Sequence, residues 1–339
     1  MGVAPLTAVA LDVGRWGRRF LLVGGAGFIG SHFADRLLAE PSVERVTVYD
    51  NFSSGRRWHL QQHAGDDRLA VVEADVKDQA SLTRAMRDHE VVVHLASNPD
   101  IARAATEPAV DFDEGTLLTH RVLEAARLTE ARVVLYASGS GIYGDVGVTE
   151  VDEDWGPLVP ISTYGASKLA GEALISAYSF MFGVRGLVFR FGNVVGPRQT
   201  HGVGFDFVRA LLDDPTRLRI LGDGSQSKSY IHVADAVEAM LTAHARVDAP
   251  FDAFNVATGD YLTVTEIADI VLECLELERP AVEYEYTGGD RGWKGDVPVV
   301  RLDTERIRRL GWVCARSSRE ALRAALLELI PDARAGRLG

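Results

Sequence analysis

Two residues of the sequence have types and a spacing that could move a proton, Tyr164 and Lys168. They stand four positions apart, which places the phenol and the ammonium on one face of a helix. A phenol, with a pKa of about 10, is a poor base at neutral pH, but a neighbouring ammonium and a positively charged cofactor would favour its phenolate. Tyr164 could then take a proton from a hydroxyl while the cofactor takes the hydride from the same carbon. Lys168 could also bond the ribose hydroxyls.

The pair gains this meaning from a glycine-rich turn upstream, because Y-x-x-x-K alone is common on helices and then indicates a surface pair. The turn reads Gly24-Gly25-Ala26-Gly27-Phe28-Ile29-Gly30, between an apolar run and a helical segment. Gly24 permits the tight turn, Gly27 lets the backbone reach a pyrophosphate, and Gly30 lets the helix pack close to the strand. The helix N-terminus would then offer free N–H groups to the phosphates.

An acidic residue completes this dinucleotide pattern. Asp50 ends the next apolar run, about 20 residues beyond the turn, where the pattern requires a carboxylate. Its carboxylate can accept hydrogen bonds from a ribose 2′-hydroxyl and would repel a 2′-phosphate. The sequence therefore predicts NAD rather than NADP, although the nearby Arg56 and Arg57 weaken this preference slightly.

Short apolar runs alternate with helical patterns over the first part of the chain. Strands are predicted at residues 20–23, 46–50, 69–72, 91–95, 133–136 and 187–190. Helices are predicted at 31–39, 82–86, 117–128 and 164–182, and after residue 193 at 206–212, 234–245, 264–277 and 304–310. This alternation predicts an α/β protein with a doubly wound parallel (Rossmann) sheet.

The pattern changes after about residue 193, where Gly, Pro and Arg become frequent. We predict an N-terminal extension at 1–17, an NAD-binding Rossmann domain at 18–192, and a smaller mixed α/β substrate domain at 193–339. The second domain is expected to be partly interwoven with the first.

Composition excludes several classes of protein. The net charge of -12 argues against a nucleic-acid surface, which needs a basic face. No apolar run approaches the roughly 20 residues of a membrane span. The two cysteines form no zinc pattern and indicate reduced thiols in a cytoplasmic protein. His59 and His63 have metal-ligand spacing, but no further ligands support a site, so we expect no metal and a surface helix there.

The sequence resembles the extended short-chain dehydrogenase/reductases, in the nucleotide-sugar epimerase and dehydratase branch. The resemblance runs from about Phe20 to Trp312. The matching motifs are Gly24–Gly30, Asp50–Gly55, Asp75-Val76, His94-Leu95-Ala96, Tyr143-Gly144, Tyr164–Lys168, Arg190–Arg198, Gly222-Asp223-Gly224, Tyr230–Asp235, Phe254-Asn255-Val256 and Gly295–Pro298.

The resemblance implies roles for further residues. In addition to the glycine-rich turn, Tyr164 and Lys168, the residues expected at the cofactor are Asp50, Asn51, Ser53, Ser54, Gly55, Asp75, Val76, Leu95, Ala96, Ser97, Phe191 and Val194. Asp75 and Val76 would contact the adenine, and Leu95, Ala96 and Ser97 the middle of the cofactor. Those expected at the substrate are Ser140, Asn193, Arg198, Lys228 and Arg291, with Lys228 and Arg291 pairing with phosphates.

The chain departs from the family at its third catalytic residue. The family carries Ser or Thr four positions before Tyr143, where this sequence has Gly139. Our hypothesis is that Ser138 or Ser140 supplies the missing hydroxyl; the alternative is that both are loop hydroxyls satisfied locally. The dehydratases also carry an Asp-Glu pair at the positions of Ser140 and Gly141, so dehydration loses its acid and base here.

The expected function is NAD-dependent C4 epimerisation of a nucleoside-diphosphate sugar of the UDP-hexose type, through a transient 4-keto intermediate. The alternatives are another NAD-dependent nucleotide-sugar oxidoreductase, decarboxylase or dehydratase, or a non-catalytic NAD-binding regulator. The resemblance also implies a homodimer through the helix that carries Tyr164 and the helix before it. Neither nucleic acid nor a membrane is an expected partner.

Overall fold

The computed structural model describes residues 17–129 and 131–336. Residues 1–16 of the predicted N-terminal extension lie outside the described residues. A seven-stranded parallel sheet forms the centre, in the order β12-β7-β5-β4-β1-β2-β3. Its strands are β1 (Arg19–Val23), β2 (Arg45–Asp50), β3 (Leu69–Glu73), β4 (Val91–His94), β5 (Val133–Gly139), β7 (Arg185–Phe191) and β12 (Phe251–Val256). The predicted doubly wound parallel sheet is confirmed.

Helices cover both faces of this sheet. The helices are α1 (Phe28–Leu38), α2 (Gln79–Met86), α3 (Leu117–Arg127), α4 (Thr163–Phe182), α5 (Val203–Asp213), α6 (Val233–Arg246), α7 (Val264–Leu275), α8 (Glu305–Arg309) and α9 (Ser318–Arg334). One core joins the sheet to α1 and α6, and a second joins the other face to α2, α3 and α4. Because both faces are covered, the central strands are apolar throughout, as in the buried run Phe20-Leu21-Leu22-Val23.

The order of the strands decides where a ligand can bind. The chain builds outward from β1 to β2 and β3 on one side, then returns to β4 on the other side of β1. Ligands of open α/β sheets bind at such a reversal, beyond the carboxyl ends of the strands. Asp50, His94, Gly139 and Phe191 end four of these strands at that edge.

The second part of the chain forms small paired strands and a core of its own. The short strands are β6 (Glu150–Val151), β8 (Asn193–Val195), β9 (Arg217–Ile220), β10 (Ser227–Lys228), β11 (Tyr230–His232), β13 (Leu262–Thr263), β14 (Glu283–Tyr286) and β15 (Arg301–Leu302). Helices α5, α7 and α9 pack around β9 and β11 in a separate apolar core.

The sequence predictions lacked the short strands given above and two further elements, strand β12 and helix α9. Strand β12 pairs with β7 and so completes the first sheet with residues from beyond position 193. Asp252 and Asn255 interrupt its apolar run. The buried Asn255 amide donates to the carbonyls of Val151 and Asp303, which satisfies it inside the protein. Helix α9 begins with a capping box of Ser317 and Glu320, a sequence signal that could have identified it.

No helix in residues 17–129 or 131–336 combines the length and apolar character that crossing a membrane would need.

Candidate active site

The glycine-rich turn between β1 and α1 has no room for side chains at Gly24, Gly25 and Gly30, and two of these positions bring the helix against the strand. Gly24 has a φ of +82°, and a Cβ there would lie 2.7 Å from the backbone nitrogen of Ala96. A Cβ on Gly30 would lie 2.5 Å from the carbonyl oxygen of Gly24. Glycine at both positions therefore brings α1 directly against the end of β1.

The N-terminus of α1 is arranged to receive an anion. Gly27 caps the helix without a side chain, and no acidic residue stands in the first turn. A Cβ on Gly27 would meet only the carbonyl oxygen of Gly24, at 3.3 Å, so the outer side of the turn is open. The first N–H groups of α1 can therefore contact a pyrophosphate, as the dinucleotide requires.

Asp50 holds the turn in this shape. Its carboxylate is nearly buried and accepts hydrogen bonds from the backbone N–H of Ala26 (2.9 Å) and of Phe52 (2.8 Å). Burial raises the pKa of Asp50, and these two bonds oppose that effect. Each carboxylate oxygen still has a lone pair for a ribose hydroxyl. Arg57 pairs with Glu73 and lies over the ring of Phe52, which engages a cation that could otherwise attract a 2′-phosphate.

The structure brings the other predicted nucleoside residues together around Asp50. The Asn51 amide donates to the Asp75 carboxylate (3.1 Å) and accepts from the backbone of Ser53 (3.0 Å). Val76 is buried beside them. Ser54 and Gly55 continue the same loop, and a Cβ on Gly55 would come within 2.9 Å of the Asp50 carboxylate.

The residues predicted along the middle of the cofactor also lie at this edge. The backbone N–H groups of Leu95 and Ala96 donate to the carbonyl of Val23, which holds the chain after β4 against the turn. Phe191 ends β7, and Val194 lies in β8 just beyond it.

Tyr164 and Lys168 lie in the first two turns of α4. The side chain of Ser162 caps the helix by accepting from the N–H of Gly165 at 3.0 Å. The Lys168 ammonium is 4% exposed, donates to the carbonyl of Ala137 at 2.8 Å, and lies 5.5 Å from the centre of the Tyr164 ring. The predicted pairing on one helix face is present.

Burial acts against the charged form of both groups. It raises the pKa of Tyr164 to about 12 and lowers the pKa of Lys168 to about 8. The nearby carboxylates of Glu172 and Asp111 favour the Lys168 ammonium, and Asp111 also disfavours the Tyr164 phenolate. The phenolate therefore depends on an additional positive charge, which an oxidised nicotinamide ring supplies.

A buried ion pair supports the catalytic helix from behind. Glu172 and Arg190 meet at 2.8 Å, and their side chains are 5% and 7% exposed. The hydroxyl of Ser138 donates to the same Glu172 carboxylate at 2.5 Å. This candidate for the missing catalytic hydroxyl therefore binds the ion pair. Sequence reasoning missed this network, although Glu172 stands four residues after Lys168 and Arg190 interrupts an apolar strand.

The other candidate for the missing hydroxyl, Ser140, lies directly after β5. Ser140 begins a 3-10 turn at Ser140–Tyr143, directly after Gly139. Gly139 has an extended backbone, and a Cβ built on it meets nothing within 4 Å. The position of the family's Ser or Thr is therefore open space in this chain.

A second buried carboxylate near Tyr164 was also missed. Asp111 is 2% exposed and accepts from the Asn98 amide (2.9 Å) and from the Thr163 hydroxyl (2.7 Å). It lies just before a π-helical turn, Phe112–Thr116, and had no distinguishing motif in the sequence. This carboxylate acts to raise the pKa of both Tyr164 and Lys168.

Two predicted phosphate-binding residues meet at Asp296. Lys228 donates to the side chain of Asp296 at 2.6 Å, and Arg291 donates to the backbone carbonyl of Asp296 at 2.6 Å. Asn193 pairs in register with Tyr230 of β11, beside Lys228. The structure thus assembles Asn193, Lys228 and Arg291 from distant parts of the sequence.

Arg198 is placed apart from these residues. Its guanidinium pairs with Asp35 and bonds His32 and the carbonyl of His59, in the wall of a separate cavity of about 500 Å³. The expectation of a surface helix at His59 is wrong: this side chain is fully buried, and its Nδ1 contacts the carbonyl of Ala26 in the glycine-rich turn. Arg198 therefore supports that turn from behind.

The fold and this site define a class of dinucleotide-dependent oxidoreductase-type enzymes, and comparisons with known proteins specify the class. The NAD dependent epimerase/dehydratase family model matches residues 20–257. A UDP-glucose 4-epimerase from Mycolicibacterium smegmatis is 34% identical over 308 residues, covering 87% of this chain and 93% of that protein. A putative UDP-glucose 4-epimerase from Methanocaldococcus jannaschii is 31% identical over 298 residues, covering 86% and 92%.

Solved structures agree with this assignment. The crystal structure of a UDP-galactose 4-epimerase matches with a TM-score of 0.82 and 39% identity, covering 93% of this chain and 99% of that one. A dTDP-glucose 4,6-dehydratase from Streptomyces venezuelae, solved with NAD bound, matches with a TM-score of 0.86 and 28% identity, covering 95% and 100%.

The chain belongs to the NAD dependent epimerase/dehydratase family. The resemblance drawn from the motifs is confirmed, and so are the enzymatic character of the protein and its NAD cofactor.

The Asp111 carboxylate predicts a specific pH effect. It raises the pKa of both Tyr164 and Lys168. The predicted proton transfer uses the phenolate of the first and the ammonium of the second. Asp111→Asn should therefore move both limbs of the pH profile of kcat to lower pH. Steady-state rates across the pH range measure this, with thermal melts to confirm folding. Limbs that stay in place, or move in opposite directions, would contradict the assignment.

Proposed function

We propose that this enzyme epimerises C4 of a nucleoside-diphosphate hexose, with UDP-glucose and UDP-galactose as the first pair to test. The observation that carries the proposal is the Tyr164–Lys168 pair, held at the sheet edge beside an NAD-binding turn. The UDP-glucose 4-epimerases among its relatives, at 31% and 34% identity over most of the chain, support the choice of reaction.

Proton transfer at the sugar oxygen follows from the geometry. A bound NAD would supply the hydride acceptor for the sugar carbon and would give the hydride back. The Lys168 ammonium, 5.5 Å from the centre of the Tyr164 ring, favours the phenolate, and this phenolate takes the proton of the 4-hydroxyl. The 4-keto sugar then rotates in the pocket. When the hydride returns to the opposite face of the sugar carbon, Tyr164 returns the proton to the sugar oxygen. The cofactor is regenerated, so no external redox partner is consumed.

This rotation of the sugar needs a firmly held diphosphate and a loosely held hexose. Lys228 and Arg291 provide two cations near Asp296, from strand β10 and from a loop of the second part of the chain. Charged contacts to phosphate oxygens are stronger than neutral hydrogen bonds. Anchoring at the diphosphate leaves the hexose free to rotate between its two faces.

Dehydration is less well supported than epimerisation. Elimination of water across C5 and C6 requires an acid and a base, and the family positions for them hold Ser140 and Gly141. Neither residue can exchange a proton near neutral pH in the way a carboxyl group does. A reductase, decarboxylase or dehydratase reaction remains the alternative outcome of the following experiment.

Product analysis with a panel of UDP-, GDP- and dTDP-linked sugars tests the function. We expect interconversion of C4 epimers without added cofactor and without accumulation of NADH. Tyr164→Phe should lower kcat by roughly 10²–10⁴-fold, because general acid–base catalysis is lost. A net change in NADH, or a dehydrated or decarboxylated product, would refute epimerisation as the main reaction.

The phosphate contacts predict a change in binding rather than in chemistry. Lys228→Ala should raise KM for the sugar nucleotide by about 10- to 100-fold, the effect of one charge-assisted contact, and leave kcat within about threefold. The inhibition constant of free UDP should rise by the same factor. Arg319→Ala, which removes a surface cation paired with Glu273, is the control. Unchanged KM and UDP inhibition would exclude Lys228 from the site.

We also propose a homodimer through α3 and α4. Ala173 and Ala177 are exposed on α4, followed by Phe180 and Met181 at 71% and 72% exposure. Leu128, just after α3, is 56% exposed. Leu169 and Leu174, which also lie on α4, pack against the protein core.

The proposed interface predicts that one substitution changes the molar mass of the protein in solution. Ala177→Arg should convert a dimer of 36.9-kDa chains into monomers, because it places a charge in an apolar interface. Light scattering coupled to size exclusion measures this. Leu327→Arg, on an equally accessible part of α9, is the control. A monomeric wild type, or a dimeric Ala177→Arg variant, would contradict the proposed interface.

The cysteines support a proposal about location. Cys274 and Cys314 are both free thiols and are partly buried. Unpaired thiols of this kind are typical of reducing compartments, and we place the enzyme in the cytoplasm.

A further inference from the structure

His59 lies in the short 3-10 helix Arg57–His63, and its ring contacts the glycine-rich turn. The side chain is fully buried, and its Nδ1 lies 2.8 Å from the carbonyl oxygen of Ala26. Because a carbonyl oxygen only accepts, Nδ1 carries the proton and donates it. Burial lowers the pKa of His59 to about 4, so the ring is neutral near neutral pH. The other ring nitrogen, Nε2, has no hydrogen-bond partner in the described part of the chain. The ring therefore acts as a single donor to the turn.

This contact bears on the cofactor because Ala26 directly precedes the N-cap of α1. The Ala26 N–H donates to the Asp50 carboxylate at 2.9 Å, and its carbonyl accepts from His59 and from the backbone N–H of Arg56 at 3.1 Å. The N-cap residue Gly27 shares one planar peptide with this carbonyl. The orientation of that peptide sets the direction in which the chain enters α1, and so where the first N–H groups of the helix point.

Arg198, from the second part of the chain, holds His59 in place. One of its guanidinium nitrogens, Nη1, donates to the backbone carbonyl of His59 at 2.9 Å. The other, Nη2, pairs with Asp35 on α1 and donates to Nδ1 of His32 at 2.9 Å. The backbone of Arg198 has a φ of +64°, a left-handed conformation that residues with side chains rarely adopt. An unfavourable backbone conformation of this kind often marks a functional residue.

We propose that His59 is a positioning residue for NAD. Its ring N–H holds the Ala26 carbonyl, and Arg198 holds His59, so that α1 presents its first N–H groups to the pyrophosphate. The second part of the chain thereby contributes to the affinity for NAD through Arg198. This role in cofactor binding is the same whichever sugar reaction follows.

The affinity for NAD tests the role of the ring N–H. His59→Leu removes the donor and should raise the dissociation constant of NAD by about 10-fold, the effect of one well-placed hydrogen bond. His59→Asn places an amide N–H near the position of Nδ1 and should stay within about threefold of wild type. Titration calorimetry measures these constants, and the rate of NAD release from the diluted holoenzyme should change in parallel.

His89→Leu is the matched control, because His89 is also a buried histidine but lies just before β4, at the opposite end of the strands. Its Nε2 contacts the Thr47 hydroxyl at 2.8 Å. The NAD affinity of this variant should equal that of wild type. Wild-type affinity in His59→Leu would overturn the proposal, and so would an equal loss in His59→Asn or in His89→Leu.

Thermal melting distinguishes positioning from a general loss of the fold. Without added NAD, His59→Leu should melt within about 3 °C of wild type. The reason is that the Ala26 carbonyl keeps its bond from Arg56, while the unsatisfied Nε2 is removed. The rise in melting temperature with added NAD should be smaller than for wild type. If His59→Leu instead loses its fold without NAD, the role of His59 is structural and the proposal fails.

A double variant tests whether Arg198 acts through His59. Arg198→Ala should also weaken NAD binding by about 10-fold, and its combination with His59→Leu should bind little more weakly than either single variant, because both changes release the same carbonyl. Arg319→Ala, which removes a surface cation paired with Glu273, is again the control. Fully additive losses would refute the coupling of Arg198 to His59.

The rate at saturating cofactor separates this role from the proposed function. With NAD in excess, kcat of each variant should remain within about threefold of wild type, because only binding of the cofactor has changed. If the wild type interconverts no sugar, the epimerase function fails, and the dissociation constants of NAD still decide the role of His59.

Discussion

The buried pair of Glu172 and Arg190 is the interaction on which the rest of the site depends. Removing two charges from water is costly, and the cost is recovered only with close geometry and further hydrogen bonds. Here three elements supply them, because Glu172 lies on α4, Arg190 on β7, and Ser138 on β5. The pair therefore fixes the helix that carries Tyr164 and Lys168 against the strands whose ends form the pocket.

Charge balance around the catalytic pair is finely set by burial. The Lys168 ammonium is almost fully enclosed, and the carboxylates of Glu172 and Asp111 keep it protonated to higher pH than burial alone would allow. The same enclosure makes the Tyr164 phenolate costly until a positive ring and hydrogen bonds offset the cost. In the proposed mechanism, the basicity of Tyr164 therefore depends on an occupied cofactor site.

The cofactor end and the substrate end of the pocket differ in how closely they follow the family. Gly24, Gly30 and Asp50 leave no steric freedom, because each is in contact with neighbouring backbone. Gly115 is also constrained, since a Cβ there would collide with the hydroxyl of Ser167 on α4. Gly139 has no such constraint, because a Cβ there would meet open space.

The sequence by itself determined the parallel sheet, the NAD-binding turn and the Tyr164–Lys168 pair, because each depends on residues close together in the chain. Periodicity reports local structure, and a turn followed by a helix is a local motif. Tertiary structure alone decided that β12 completes the sheet, that Ser138 binds Glu172, and that Arg198 pairs with Asp35. It also placed Asp111 beside the start of α4, where it accepts from the Thr163 hydroxyl. These contacts join residues dozens of positions apart, and the burial that sets their energies exists only once the chain has folded.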